Sequence, residues 1–249
     1  MGINIKSERE VALMRQAGKI VATVLVILAE AIKPGLKTKE LDAIAYREIK
    51  KLGGIPSFKG YRGYPANLCV SINDEIVHGI PGERILQEGD IVSLDLGAIY
   101  KGYQGDAART VAVGKISDLA SALISATEGS FRAGIMMARD QSRLGDISSA
   151  IQKYAEAKGF SVVREYTGHG IGRQMHEEPL IPNFGMPGTG PVLKKNMVFA
   201  IEPMLNVGDW QTKLGSNNWT VSTADGQLSA HYENTIVITD GDPEILTSL

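Results

Sequence analysis

An α+β chain of antiparallel strands and packed helices, arranged as two similar halves, is the fold the sequence predicts. Three observations carry this expectation. Four segments show helical periodicity, and apolar runs suited to strands alternate with turn residues. The third is a faint duplication: Glu40-Leu41 and Gly53 fall 106 positions before Asp146-Ile147 and Gly159.

The elements follow in order. Ser7 with Glu10 makes a capping-box start, after which Leu13, Ala17, Ile20, Val24, Leu28 and Ile32 recur at helical spacing until Lys33-Pro34-Gly35. Thr38 is predicted to cap a second helix, with Leu41, Ile44, Ala45 and Ile49 on one face and Gly53-Gly54 at its end. Strands are expected at 66–77, 91–99 and 104–113. Tyr100-Lys-Gly-Tyr103 supplies the turn between the last two, so that residue 95 pairs with 108 and Asp106 lies diagonally opposite Asp95. Helices at 118–137 and 145–158 open the second half, the latter carrying Ile147, Ile151, Tyr154 and Ala155 before Gly159. Strands at 161–165, 197–202, 218–223 and 231–238 complete it. Arg139-Asp-Gln141 stands where the first half has Lys33-Pro-Gly35, which weakens the repeat without touching a candidate ligand.

The chain's 249 residues suffice for one large core, and no linker or low-complexity tract divides them, so a single domain over 1–249 is expected, with repeats of about 1–115 and 116–249. Net charge is −2 with basic residues spread along the chain, which argues against an extended nucleic-acid surface. A lone cysteine, Cys69, excludes an internal disulfide framework and fits a reducing, cytoplasmic setting. The apolar stretch Ile20 to Leu28 is too short to span a bilayer and has neither a basic leader nor a cleavage site, so no membrane partner and no secretion are expected. Met1-Gly2 invites a myristoylation reading that Lys6 contradicts, since the motif needs Ser or Thr there.

Five residues concentrate the chemistry: Asp95, Asp106, His169, Glu202 and Glu233. Asp95 and Asp106 project from the same face of the predicted hairpin, roughly 7–8 Å apart at the backbone, close enough to share two metals about 3.5–4 Å apart. The alternative is a pair of acids on a solvated face. Tyr166-Thr-Gly-His169-Gly-Ile-Gly-Arg-Gln-Met-His176-Glu-Glu-Pro179 surrounds one imidazole with glycines, as suits a loop wrapped around a site. Its histidines lie seven residues apart with glycine between them, so it is not the helical zinc motif. Glu202 ends the apolar run Asn196 to Ile201 and precedes Pro203, which holds it extended; Glu233 opens the β-branched run to Ile238. Carboxylates at such places need a partner, either a divalent cation or an arginine.

Taken together, Gly168-His169-Gly-Ile-Gly, His176-Glu-x-Pro179, the Asp95/Asp106 pair, Ile201-Glu202-Pro203 and Tyr232-Glu233-Asn234-Thr235 resemble the type I methionine aminopeptidases. The resemblance runs from the first capped helix to Glu244-Ile-Leu246. The segment Gly60 to Pro81 resembles the substrate-side stretch that separates this family from prolidase and aminopeptidase P relatives. Such a resemblance implies the pita-bread (creatinase/aminopeptidase) fold, a curved antiparallel sheet with two pseudo-symmetric halves and helices on its outer face. The short form, without a zinc-binding N-terminal extension, is the expected variety.

The same resemblance implies two divalent ions, Co, Mn, Fe or Zn, with Asp95 on one, His169 and Glu202 on the other, and Asp106 and Glu233 bridging. Ligand type alone does not choose the metal. It further implies that His78 and His176 bind the scissile peptide and its tetrahedral intermediate, that Glu202 also shuttles protons, and that Tyr61, Tyr64, Cys69, Met175 and Trp219 line a methionine pocket. Met175 departs from the aromatic residue common at its position. The expected activity is co-translational removal of the initiator methionine when the second residue is small. Its partners would be the N-termini of nascent polypeptides, met by a monomer in transient ribosome contact. An X-Pro dipeptidase or a catalytically silent peptide-binding relative are the alternatives.

Overall fold

Ser7 starts the first helix as its sequence predicts. Its hydroxyl accepts the Glu10 N–H (3.3 Å) while Glu10 Oε2 accepts the Ser7 N–H (2.8 Å), two otherwise orphaned donors satisfied reciprocally. The computed structural model describes residues 2–249, so Met1 of the Met1-Gly2 opening lies outside them. Helix α1 runs Glu8–Ala31 and packs on strands that follow it. By length and composition its 24 residues could cross a membrane, a longer element than the Ile20 to Leu28 stretch, yet Met14, Val21, Val24 and Leu28 are buried against the sheet.

Helix α2, Thr38–Lys51, corrects one expectation: Lys37, not Thr38, is its N-cap. The Lys37 N–H donates to Glu40 Oε2 (2.9 Å), and the Thr38 hydroxyl instead bonds the Gly82 backbone in both directions. Strand β1 is Ile55–Pro56, and a short 3-10 turn covers Tyr61–Gly63. The predicted strand 66–77 divides into β2, Cys69–Ile72, and β3, Glu75–Val77, because Asn73 adopts φ +59 and turns the chain. Strands β4, Ile91–Tyr100, and β5, Tyr103–Ala112, form the expected hairpin. Lys101 and Gly102 both have positive φ, the conformation a tight two-residue turn between twisted strands requires.

The second half opens with α3, Asp118–Ile135, capped by Ser117, and α4, Leu144–Ala157. Strand β6 is only Ser161–Val162. Strands β7, Gly168–Gly170, and β8, Glu177–Ile181, form inside the segment expected to be a glycine-rich loop. Then come β9, Val198–Ile201, β10, Met204–Asn206, β11, Thr212–Leu214, and β12, Val221–Thr223. The predicted strand at 218–223 starts late because the Asn217 side chain caps the Trp219 and Thr220 N–H groups in a turn. The expected strand 231–238 divides into β13, Ser229–His231, and β14, Glu233–Val237, where the Tyr232 N–H leaves the ladder for the Pro203 carbonyl. Strand β15 is Glu244–Ile245.

Nine strands form one antiparallel sheet whose main path is β1-β4-β5-β14-β9-β7-β8, with β2 also on β4 and β15 on β14. Two three-stranded sheets, β13-β10-β6 and β11-β12-β3, complete the architecture. The halves correspond closely. Both ends of α4 lie 106 positions after those of α2, as does β6 after β1. Arg143 N–H donates to Asp146 Oδ2 (2.9 Å) as Lys37 N–H does to Glu40. Gln141 takes the left-handed backbone (φ +68) that Gly35 takes (φ +88), and each N–H reaches the next segment, at Leu193 and Leu86 respectively.

Each half buries its own apolar cluster under its helices: Val24, Leu28, Leu41, Ile49, Leu94 and Leu96 in one, Phe131, Ile147, Ile151, Phe199 and Ile201 in the other. Each such side chain contributes about 1.5–3 kcal/mol on burial. Alternation along the strands sends the intervening residues to the opposite face, where Cys69, Val198 and Ala200 join Tyr64 and Met175 from the loops in a third cluster. This is the curved antiparallel sheet with outer helices expected of the pita-bread fold.

Candidate metal centre

Five adjacent strands each deliver one of the five predicted ligands. In the sheet order β4-β5-β14-β9-β7 these are Asp95, Asp106, Glu233, Glu202 just past the end of β9, and His169. The hairpin register pairs Asp95 with Ala108 and Gly97 with Asp106, so the two aspartates are diagonal neighbours, as predicted. The halves join where β5 meets β14, with Glu233 opposite Ala108. At that seam the Thr235 hydroxyl accepts the Asp106 N–H (3.0 Å) and donates to the Asp106 carbonyl (2.8 Å), fixing the backbone under the carboxylate. His169 pairs with Ala200, two residues before Glu202.

Asp106 and Glu233 are almost fully buried, and Asp95 Oδ1, Asp106 Oδ1 and Glu233 Oε1 are buried without a hydrogen-bond partner. Burial pushes the Asp95 and Glu202 carboxyls up to about 7. Asp106 and Glu233 are raised well above the usual range, by burial first and then by neighbouring carboxylates. The arginine alternative is not formed at Arg109: its guanidinium donates to the Glu233 and Ala108 carbonyl oxygens and to Asn234 Oδ1, and lies over the Tyr232 ring. Carboxylates crowded in this way with orphaned oxygens fit divalent cations, which compensate buried negative charge that few side chains here can.

His169 keeps one ring nitrogen free. Its Nδ1–H donates to the Gly170 carbonyl (2.9 Å), which leaves the Nε2 lone pair free, 3.7 Å from Glu202 Oε1. Ligand atoms of Asp106, His169 and Glu233 lie within 4.8 Å of one another, as do those of Glu202, His231 and Glu233. Asp95 belongs to neither compact set but lines the same pocket.

That pocket brings together every residue singled out from the sequence: the five candidate ligands, His78, His176, Tyr61, Tyr64, Cys69, Met175 and Trp219. Cys69 sits directly across from Asp95 in the β2–β4 ladder, and burial raises its thiol pKa. Tyr64 meets Trp219 edge-on at 5.1 Å and donates its hydroxyl to the Gly79 carbonyl (2.9 Å). His78, at φ +60 after β3, packs edge-on against Tyr166 and Trp219, and burial lowers its pKa to about 4, so it is neutral at physiological pH. His176 lies at the exposed side, its ring 4.2 Å from that of His169.

Three residues of the site escaped the sequence reading. Phe58 and Arg62 line the pocket, and His231 faces Glu202 and Glu233 from 3.6 and 3.8 Å. His231 had a legible signal, since two residues before Glu233 in an extended run is the same face. Phe58 sits in irregular chain and Arg62 in the three-residue 3-10 turn, both too short to carry a periodicity that marks the inward side.

Fold and pocket define a metal-dependent hydrolase with an oxygen-rich centre. The chain belongs to metallopeptidase family M24, whose model matches residues 12–240. It is similar to methionine aminopeptidase from Clostridium acetobutylicum, 56% identical with 98% of each chain covered, and to methionine aminopeptidase 1 from Bacillus subtilis, 54% identical over 97% of this chain and 98% of that one. Its structure matches methionine aminopeptidase from Thermotoga maritima with a TM-score of 0.98 at 45% identity, covering 100% of both chains. Prolidase from Pyrococcus furiosus shares the fold at TM-score 0.80 and 22% identity, over 98% of this chain but 65% of its own.

Proposed function

We infer that this chain is a methionine aminopeptidase, removing the initiator methionine from new polypeptides whose second residue is small. The observation that carries the reading is one pocket in which five clustered ligand-type side chains adjoin the apolar wall of Phe58, Tyr64, Cys69, Met175 and Trp219. Full-length similarity to proteins named methionine aminopeptidases supports it.

Asp95, Asp106, His169, Glu202 and Glu233 would hold two divalent ions drawn from Co, Mn, Fe or Zn. When bound, such ions supply Lewis acidity and make water nucleophilic at neutral pH. The chain's own groups do the rest. Aromatic and sulfur side chains of the wall receive the unbranched thioether of the first residue, with which they make favourable contacts. Neutral His78 and His176 donate hydrogen bonds to the carbonyl oxygen of the first peptide bond as negative charge develops there, a contribution of several kcal/mol when preorganised. Glu202 Oε2 takes a proton from the attacking water and returns it to the leaving nitrogen. Because Asp95 and Asp106 come from one half and the other ligands from the second, the chain works as a single catalytic domain.

Its substrates are then the N-termini of nascent chains in the cytoplasm, where a buried lone thiol stays reduced. A net charge of −2 offers no broad basic surface for ribosomal RNA, in keeping with a monomer that meets the ribosome only transiently. The test is release of methionine from Met-Ala and Met-Leu peptides by metal-loaded protein. Cleavage of the first over the second is expected. No release from Met-Ala overturns the reading, and cleavage of Xaa-Pro substrates alone would assign an X-Pro dipeptidase instead.

A further inference from the structure

The imidazole of His231 is buried at the candidate centre, yet none of the roles above uses it. It is 1% exposed, and neither ring nitrogen has a hydrogen-bond partner. Its backbone is fixed from both sides: the Thr110 hydroxyl of β5 accepts the His231 N–H and donates to its carbonyl, both at 2.9 Å, and Met204 pairs with it across the β10–β13 ladder. Glu202 is two residues before Met204, so Glu202 and His231 are diagonal neighbours. The outcome is a divided carboxylate, Oε1 toward His169 Nε2 (3.7 Å) and Oε2 toward His231 Nε2 (3.6 Å).

The two imidazoles differ in preparation. A histidine that ligates metal almost always donates its other ring N–H to a fixed acceptor, which sets the tautomer and frees the lone pair. His169 does this through Gly170, whereas His231 Nδ1 meets no acceptor. Between two carboxylate oxygens, the Nε2 position of His231 favours the tautomer that carries a proton there, because a lone pair would face Glu202 Oε2 and Glu233 Oε2 repulsively. At 3.6 Å the pair is longer than a hydrogen bond, so donation to Oε2 requires the Glu202 side chain to turn toward His231.

We propose that His231 is a positioning residue of the metal centre, donating its Nε2–H to Glu202 Oε2 so that Oε1 is presented beside His169. Oε2 is also the oxygen assigned above as the proton carrier, and an N–H on one of its lone pairs directs the other. This inference rests on the reading of Glu202 as a ligand and proton carrier, but its main test does not depend on which peptides are cleaved.

The experiment titrates Mn2+ into metal-free parent, His231→Ala and His231→Gln proteins by calorimetry, and counts imidazole nitrogens coupled to the bound ion by pulsed electron paramagnetic resonance. The expected result is an about ten- to hundredfold loss of affinity in His231→Ala. Affinity near the parent value is expected in His231→Gln, whose amide supplies an N–H, together with a single coupled histidine in the parent. Unchanged affinity in His231→Ala, or equal losses in both variants, would overturn the proposal, and so would two coupled histidines, which would make His231 a ligand. Should His231→Ala fail to fold, the glutamine variant and the imidazole count still decide. Normal metal binding results with no methionine release would sink the aminopeptidase reading alone.

Discussion

Tyr61 Oη lies 2.7 Å from His176 Nδ1, and the two rings stack with centroids 5.4 Å apart. The first residue of the short 3-10 turn thus holds the imidazole of a loop 115 positions later. With the phenol donating, Nδ1 accepts and Nε2 keeps its proton, the tautomer a hydrogen-bond donor to substrate needs. Tyr61 was expected as a wall of the methionine pocket; the geometry also places its hydroxyl on the imidazole of His176.

Tyr61→Phe preserves the stacking and deletes the hydroxyl. One hydrogen bond of about 1–1.5 kcal/mol corresponds to an about tenfold loss of rate. Steady-state kinetics on Met-Ala peptides should show that loss in kcat with metal content unchanged; a parent-like kcat would remove Tyr61 from the mechanism.

Metal should stabilise the fold, because cations relieve carboxylates that burial and mutual repulsion otherwise drive toward protonation. An ion at a hundredfold excess over its Kd adds about 2.7 kcal/mol, which for a chain of this size is about 5–10 °C in Tm. Thermal unfolding with and without Mn2+ should show this shift in the parent and in His78→Ala, whose imidazole is assigned to substrate. The shift should vanish in Asp106→Asn. Loss of the metal response in His78→Ala would contradict its role.

Much of this centre was legible because its residues break local rules. Carboxylates within apolar strands are expensive, so Asp95, Asp106, Glu202 and Glu233 stood out, and the Lys101-Gly102 turn set the hairpin register. What stayed hidden depended on distant partners. Thr38 looked like a cap, but its hydroxyl is taken by Gly82, 44 positions on, and Lys37 caps through its backbone. β7 and β8 carry glycine and proline, poor strand formers, and form because β9 offers a ladder edge to β7. His231 shares a face with Glu233 in the sequence, but its contact with Glu202 exists only once that residue arrives from another strand.

Acid stability should depend on Glu10. The Tyr103 hydroxyl (2.7 Å), and then the Ser7 backbone N–H and hydroxyl, lower its pKa from 4.5 to about 2. A pKa depressed by folding stabilises the native state above about pH 4.5, and that contribution disappears as pH falls toward 2. Water screens this partly exposed group, so Glu10→Gln should cost about 1 kcal/mol at pH 7. Urea unfolding should show the gap between parent and variant narrowing from pH 5 to pH 3. A gap independent of pH would mean that Glu10 acts by packing alone.

The contact between α1 and the C-terminal segment permits no side chain at Gly18. A Cβ there would stand 2.1 Å from the Leu246 carbonyl oxygen, and one on Gly105 of β5 would stand 2.8 Å from the Gly18 nitrogen. Helix and strand therefore touch backbone to backbone, one position from the carboxylate of Asp106. Gly18→Ala must push α1 or the C-terminal segment outward, at about 3 kcal/mol, the upper end of ordinary overpacking. Alanine's better helix propensity recovers about 1 kcal/mol, leaving a net loss of about 2 kcal/mol. Urea titration of the metal-free protein should show that loss, and Gly105→Ala, which meets the same helix backbone, should lower Mn2+ affinity as well by displacing β5. A Gly18→Ala protein as stable as the parent would mean that the C-terminal segment rides on α1 with slack, and parent-like Mn2+ affinity in Gly105→Ala would mean that Asp106 is not held by the helix contact.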